Sequence, residues 1–226
     1  MISQIIHKLH SELPAAVKLV AVSKFHPFEA IEEAYESGQR IFAESRPQEL
    51  QAKVRLLEET RKDMSDVQWH FIGHLQTNKL KMVLPYVSMV QSVDSVRLLD
   101  AIEGWAASND RVINVLLEPH VAAEQTKQGF LEEEIYEILT KAERGEYPHI
   151  CFCGIMGMAT FTDDESVIRA DFATLQTIYK NCRERFPSLS AVFTELSIGM
   201  SDDYPLAIEY GSTMVRIGSM IFGARA

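Results

Sequence analysis

The amino-acid sequence predicts an α/β protein, a (β/α)8 TIM barrel forming a single domain over residues 1–226. Eight short apolar runs alternate with stretches of helical period. A length of 226 residues brackets one such barrel. No G-x-G-x-x-G follows the first run, which disfavours the runner-up, an open doubly wound sheet.

In chain order the strand-like runs are Val17–Val22, Arg40–Ala43, Gln68–Ile72, Val87–Gln91, Val112–Leu117, Ile150–Ile155, Ala191–Leu196 and Met214–Ile217. The first is β-branched and bounded by Pro14 and Phe25-His26-Pro27. Pro27 then opens a helical pattern that Gly38 can close. Ser45-Arg-Pro-Gln48 has capping-box spacing ahead of Leu50, Val54 and Leu57. Asp94 can cap a helix burying Leu98, Ile102 and Trp105, and Leu131, Ile135, Ile138 and Ala142 form a further stripe. Thr162-Asp-Asp-Glu165 is a second capping-box spacing, preceding Ile168, Phe172, Leu175, Tyr179, Cys182 and Phe186 along a long helix. Only about nine residues follow the eighth run, too few for a full helix. An amphipathic N-terminal helix (Ile2, Ile5, Ile6, Leu9, Leu13) can cover that gap.

Composition bounds the partners. A formal charge of −10 argues against nucleic acid, which needs a basic face. No apolar run approaches a membrane span and the N-terminus lacks a signal-peptide core, so a cytoplasmic protein with no membrane partner is expected. An odd count of three cysteines fits a reducing compartment; Cys151 and Cys153 share one side of a strand and read as packing thiols. His70 and His74 flank a strand end in different surroundings, with no further ligand nearby, so no metal is expected.

Chemistry is expected at the C-terminal ends of the strands, where ligands of α/β barrels bind. Lys24 sits just past the first strand. There it is either a solvated loop lysine or a partly desolvated amine able to attack an aldehyde. Loops after strands seven and eight commonly hold phosphate. Here they read Ser197-Ile-Gly-Met-Ser201 and Arg216-Ile-Gly218-Ser219, whose glycines admit close approach and whose serines offer hydroxyls; ordinary turn chemistry uses the same residues. Arg216 falls inside an apolar strand. A buried guanidinium needs an acceptor, either a heterocyclic ring nitrogen or an internal carboxylate such as Glu195 or Glu44.

Amine, phosphate cradle and ring-facing cation together describe pyridoxal 5′-phosphate. The stretches Leu19–Lys24, Trp69–Gln76 with Asn78 and Lys79, Lys127–Phe130, Gly154–Met156, Leu196–Asp203, Gly211–Ser219 and Ile221–Arg225 span nearly the whole chain in order. In these the chain resembles the pyridoxal phosphate homeostasis proteins, small relatives of the alanine racemase N-terminal barrel. The resemblance implies a Schiff base between Lys24 and the cofactor aldehyde. It further implies phosphate binding by Ser201, Gly218 and Ser219, Arg216 facing the pyridine nitrogen, and Met200 as a neighbour. The chain departs from the family in Ala43-Glu44-Ser45, where Gly-Glu-Asn is usual, and in Glu118-Pro-His120. Ser45 is shorter than asparagine and lacks its amide, which weakens any contact to the ring hydroxyl.

The related racemases add a β-rich domain and a tyrosine as second acid/base. This chain ends without room for that domain, so the resemblance implies a monomeric cofactor carrier in pyridoxal phosphate homeostasis, with no robust catalysis. Apo forms of enzymes that use the cofactor are its expected partners. The competing hypotheses are a minimal racemase, another Schiff-base enzyme, or an interaction module without cofactor.

Overall fold

The computed structural model describes residues 1–121 and 129–223. Eight parallel strands close into a barrel in sequence order: β1 (Lys18–Val22), β2 (Ile41–Glu44), β3 (Gln68–Phe71), β4 (Val87–Val93), β5 (Ile113–Leu117), β6 (Ile150–Met156), β7 (Glu195–Ser197) and β8 (Met214–Ile217). Closure is made by β8 on β1, with Val20 opposite Arg216 and Ala21 opposite Ile217.

Alternation along the strands sorts side chains to two faces. Leu19, Ala21, Phe42, Phe71, Val90, Val115, Ile155 and Val215 point outward and pack beneath the helices. Val20, Val22, Ala43, Met89, Leu116, Met156 and Met214 form a separate cluster filling the interior. Counting two residues from Met89 and Met214 reaches Gln91 and Arg216, so the same pleat carries polar groups into the interior.

The outer layer is α1 (Ile2–Glu12), α2 (Phe28–Glu36), α3 (Pro47–Thr60), α4 (Leu80–Val83), α5 (Val96–Ser108), α6 (Glu132–Glu143), α7 (Glu165–Arg185), α8 (Tyr204–Glu209) and α9 (Ser219–Phe222). After β8 only the single turn of α9 follows within the described chain. The N-terminal helix α1 packs against α9 and α2, burying Ile6 and Leu9 as its spacing predicts. The long α7 buries Phe172, Leu175, Ile178 and Cys182. Among the described residues no helix is long and apolar enough to cross a membrane.

Strand seven is shorter than its apolar run. Residues 189–193 turn, with Val192 and Phe193 both donating to the Leu189 carbonyl, and Phe193 is buried from that turn. The caps also move. Pro47 holds Arg46 extended at the start of α3, and no Ser45 side-chain cap forms. Asp164, rather than Thr162, accepts from Ser166 N at the start of α7. Ser95 caps α5, because the Asp94 carboxylate is engaged by His74 at 2.9 Å. Of the family-like stretches, residues 127–128 and 224–225 lie outside the described chain.

Candidate functional site

At the C-terminal rim of β1, β3, β6, β7 and β8 lies a pocket of about 250 Å³. Lys24, Met200, Ser201, Arg216, Gly218 and Ser219 all line it. Residues from the first strand's end and from the loops after the seventh and eighth are thereby brought to one place, although 176 residues separate Lys24 from Met200.

Lys24 is half-buried in a tight turn that is held on both flanks. Before it, Ser23 donates its hydroxyl to Glu44 at 2.6 Å, and its carbonyl accepts from Lys53 Nζ at 2.8 Å. After it, Phe25 N donates to Glu49 Oε1 at 2.6 Å. Phe25 has φ 67°, a left-handed backbone costly for an aromatic residue. The bond to Glu49 and the Arg46 guanidinium 4.4 Å above the Phe25 ring hold it there. Lys53 ties the flanks together by pairing with both Glu44 and Glu49 at 2.7 Å. Glu44 is fully buried, and burial raises its carboxyl above the usual range against the pull of Lys53.

Arg216 is buried on β8. Its Nη1 donates to Ser197 O at 2.7 Å and Ser197 Oγ at 2.8 Å, and its Nη2 donates to Gly157 O at 2.9 Å. None of these acceptors is a carboxylate. The internal ion pairs considered from sequence go elsewhere, Glu195 to Lys18 and Glu44 to Lys53. Burial lowers the guanidinium to about 10, opposed by the fields of Glu118 and Asp203, so it stays a cation at neutral pH. Behind it the bonds continue into the barrel. Ser197 Oγ donates to Gln91 Oε1 at 2.7 Å, and Gln91 Nε2 meets His70 Nδ1 at 2.8 Å. Burial drives His70 down to about 3, so it is neutral and accepts at Nδ1.

The remaining corner is a cluster of donors. Gly218 N and Met220 N both point at Ser201 Oγ, at 3.3 and 3.4 Å. Amides converging on one hydroxyl make a cradle suited to anionic oxygens. Space there is tight: a Cβ on Gly218 would lie 3.2 Å from Val22 O, and one on Gly199 (φ 96°) 2.6 Å from Ala207 Cβ. Amine, anion cradle and obligate cation match the aldehyde, phosphate and ring nitrogen of pyridoxal phosphate, so the residues present fit that group.

Ser45 is the exception. It directly follows β2 but is not among the residues lining the pocket; its carbonyl abuts Gly73, where a Cβ would come within 2.1 Å. Other lining residues, among them His26, Met158 and Asp202, were not predicted as site residues from sequence. His26 stacks on Phe222 at 5.2 Å, and burial lowers its pKa. The His26-Pro27 boundary that ends the first strand was the available signal. His70 and His74 lie in different surroundings, as expected, one on Gln91 in the interior and one on Asp94.

Residues 2–226 match the alanine racemase N-terminal domain family. The pyridoxal phosphate homeostasis protein of Pasteurella multocida is 35% identical, over 93% of this chain and 88% of that protein. That of Mus musculus is 37% identical, over 99% and 83%. The structure of PipY from Synechococcus elongatus with pyridoxal phosphate bound superposes with a TM-score of 0.86 at 32% identity, covering 99% of this chain and all of that one. The alanine racemase of Enterococcus faecalis (TM-score 0.66, 19% identity, 99% of this chain but 57% of that one) shares the fold. By sequence and by fold, this chain belongs to the alanine racemase N-terminal domain family and, within it, to the pyridoxal phosphate homeostasis proteins.

Proposed function

We propose that this protein binds pyridoxal phosphate at Lys24 and takes part in homeostasis of the cofactor, without robust turnover of a substrate of its own. The observation that carries the reading is the convergence of Lys24, Arg216 and the Ser201–Gly218–Ser219 loops on one small pocket. Bound there, the cofactor supplies an aldehyde for a primary amine and a phosphate for hydrogen-bond donors. Lys24 offers the amine, and the clamped turn fixes where its stem begins. Ser201, Ser219 and the amides of Gly218 and Met220 hold the phosphate. Arg216 donates to the pyridine nitrogen, and because it retains its own proton it keeps that nitrogen unprotonated. Met200, beside Ser201, packs at the rim.

The homeostasis role is supported by the names of the two relatives at 35 and 37% identity, both pyridoxal phosphate homeostasis proteins. A racemase needs a second proton carrier across the ring. Among the described lining residues His26 is the one imidazole, its pKa lowered by burial, and its stacking on Phe222 restrains it. That histidine is the one feature favouring the enzyme reading. A cytoplasmic monomer that passes the cofactor to apo enzymes completes the proposal.

The absorbance spectrum tests it. Protein loaded with pyridoxal phosphate should show an imine band near about 420 nm that borohydride bleaches, and Lys24→Ala should lack it. Retention of the band without Lys24 would refute the assignment. Amino-acid turnover well above that of the free cofactor, abolished by His26→Phe, would replace the carrier with an enzyme.

A further inference from the structure

At the opposite, N-terminal end of the barrel, Cys151 and Cys153 are two residues apart on β6 and face the same side. They do not pack as isolated thiols. Cys153 Sγ donates toward Cys151 Sγ at 3.8 Å and toward the Cys151 carbonyl at 3.5 Å. Both are half-buried rather than sealed in, whereas the third cysteine, Cys182, is buried on α7.

The strand is irregular at this place. Val115 pairs with Phe152 and Leu116 with Gly154, so Cys153 is an extra residue on β6. A bulge bends and twists the strand, drawing together side chains that a flat pleat would hold apart. The Glu195 carboxylate on the adjacent strand β7 acts on Cys153, and Lys18 on β1 is paired to that carboxylate.

We propose that Cys151 and Cys153 are a two-electron redox site that closes to an intrastrand disulfide under peroxide- or disulfide-class oxidants. With a peroxide, the Cys151 thiolate attacks one oxygen and the O–O bond breaks. The leaving hydroxide takes a proton to become water, and Cys151 is left as a sulfenic acid. Cys153 sulfur then attacks the sulfenic sulfur. The S–S bond forms as the S–O bond breaks, and the departing hydroxide carries off the Cys153 proton as a second water. Two thiols give up two electrons, and the peroxide is reduced to two waters. With a small disulfide, Cys151 forms the mixed disulfide and expels one thiol, and Cys153 expels the second.

Cys151 is assigned the attacking role because it receives the hydrogen bond. That bond lowers its thiol to about 7 and pushes the Cys153 thiol upward, with the Glu195 field acting in the same direction on Cys153. Burial pushes Cys182 up to about 12, which keeps it out of the reaction.

The purified chain, treated at pH 7 with hydrogen peroxide or oxidised glutathione and then alkylated, is read by mass spectrometry. The expected result is an intact mass with a single alkyl adduct and two hydrogens fewer than the reduced chain so alkylated, a tryptic peptide spanning residues 145–169 that holds the bond internally, and Cys182 recovered as the alkylated thiol. Recovery of Cys151 and Cys153 as free thiols after both oxidants, or oxidation confined to Cys182, would overturn the proposal. Cys153→Ser keeps a donor beside Cys151 and removes the second sulfur, so glutathione should stop there as a mixed disulfide. In Cys151→Ser, Cys153 should react about tenfold more slowly than Cys151 does in Cys153→Ser. Equal rates would overturn the assigned order of attack. Lys24→Ala should give the same map as the natural sequence, so the result stands apart from the cofactor reading.

Discussion

Two cations are enclosed at the rim of this barrel, on opposite sides of Lys24, and they are treated in opposite ways. Lys53, on the β2 side, is neutralised by two carboxylates, Glu44 and Glu49, and also bonds Ser23 O. Arg216, on the β8 side, hydrogen-bonds, among the described residues, only to the neutral oxygens of Ser197 and Gly157, yet it lines the pocket. A buried charge surrounded by its counter-ions has finished its work once the chain folds. One whose hydrogen bonds go to dipoles, with the carboxylates of Glu118 and Asp203 acting only through their fields, keeps donor capacity for a ligand, at some expense in stability. The contrast tells which side of Lys24 the cofactor's acceptors should face: the ring nitrogen and phosphate belong toward β8, and the β2 side shapes the turn.

The largest expected effect breaks the closed side. Lys53→Met leaves Glu44 and Glu49 facing each other without a cation, and should cost about 3–5 kcal/mol in urea denaturation. Adding Glu44→Gln should return part of that loss. A cost below about 1 kcal/mol would mean that the trio is solvated, and the contrast would fail. Next comes the open side. Arg216→Met should weaken pyridoxal phosphate binding about a hundredfold, roughly 2.7 kcal/mol, while ligand-free stability moves far less than in Lys53→Met. Titration of the imine band and denaturation of the apo protein separate these two quantities. Equal losses of stability in both variants would show Arg216 to be structural.

How much of this was legible in the sequence depends on the range over which each signal acts. Strand order, the long α7 and the N-terminal helix follow from local periodicity, and the barrel then places Lys24, Ser201 and Ser219 at one rim. Arg216 was recognisable because a charge between Val215 and Ile217 breaks the apolar pattern of its strand. Its acceptors were not, since carbonyls of Ser197 and Gly157 leave no trace in side-chain identity. The clamp by Lys53 was hidden for a different reason: on a helix surface an i, i+4 Glu49–Lys53 pair reads as a solvated face. Glu44, arriving from a strand end, makes it a buried trio. Ser45 was carried over by resemblance alone, and the turn into α3 leaves it outside the pocket lining. The touching of Cys151 and Cys153 required the bulge in β6, which pairing with β5 imposes.

The interior row behind Arg216 gives a smaller, pH-dependent effect. His70 is held neutral near 3 by burial, whereas the unfolded chain takes up its proton near the ordinary histidine value of 6.5. Between those values the unfolded state binds more protons. Stability is therefore full above about pH 6.5 and falls as the pH drops toward 3, by at most about 1.4 kcal/mol per unit. His70→Gln cannot take up that proton, and a stability–pH curve over pH 4–7 should be correspondingly flatter. An unchanged slope would place the imidazole in contact with water, and with it the far end of the row that backs the open side.

The smallest effect probes the anion cradle itself. Ser201→Ala removes the hydroxyl on which Gly218 N and Met220 N converge, leaving the amides in place. If those amides carry most of the phosphate's hydrogen bonds, affinity should fall by only about tenfold or less, the worth of a single neutral hydrogen bond. Inorganic phosphate should still compete with pyridoxal phosphate for the variant. A loss as large as that of Arg216→Met would instead make the serine hydroxyl the principal anchor, and the open side would then rest on one side chain rather than on backbone that the glycines allow to approach.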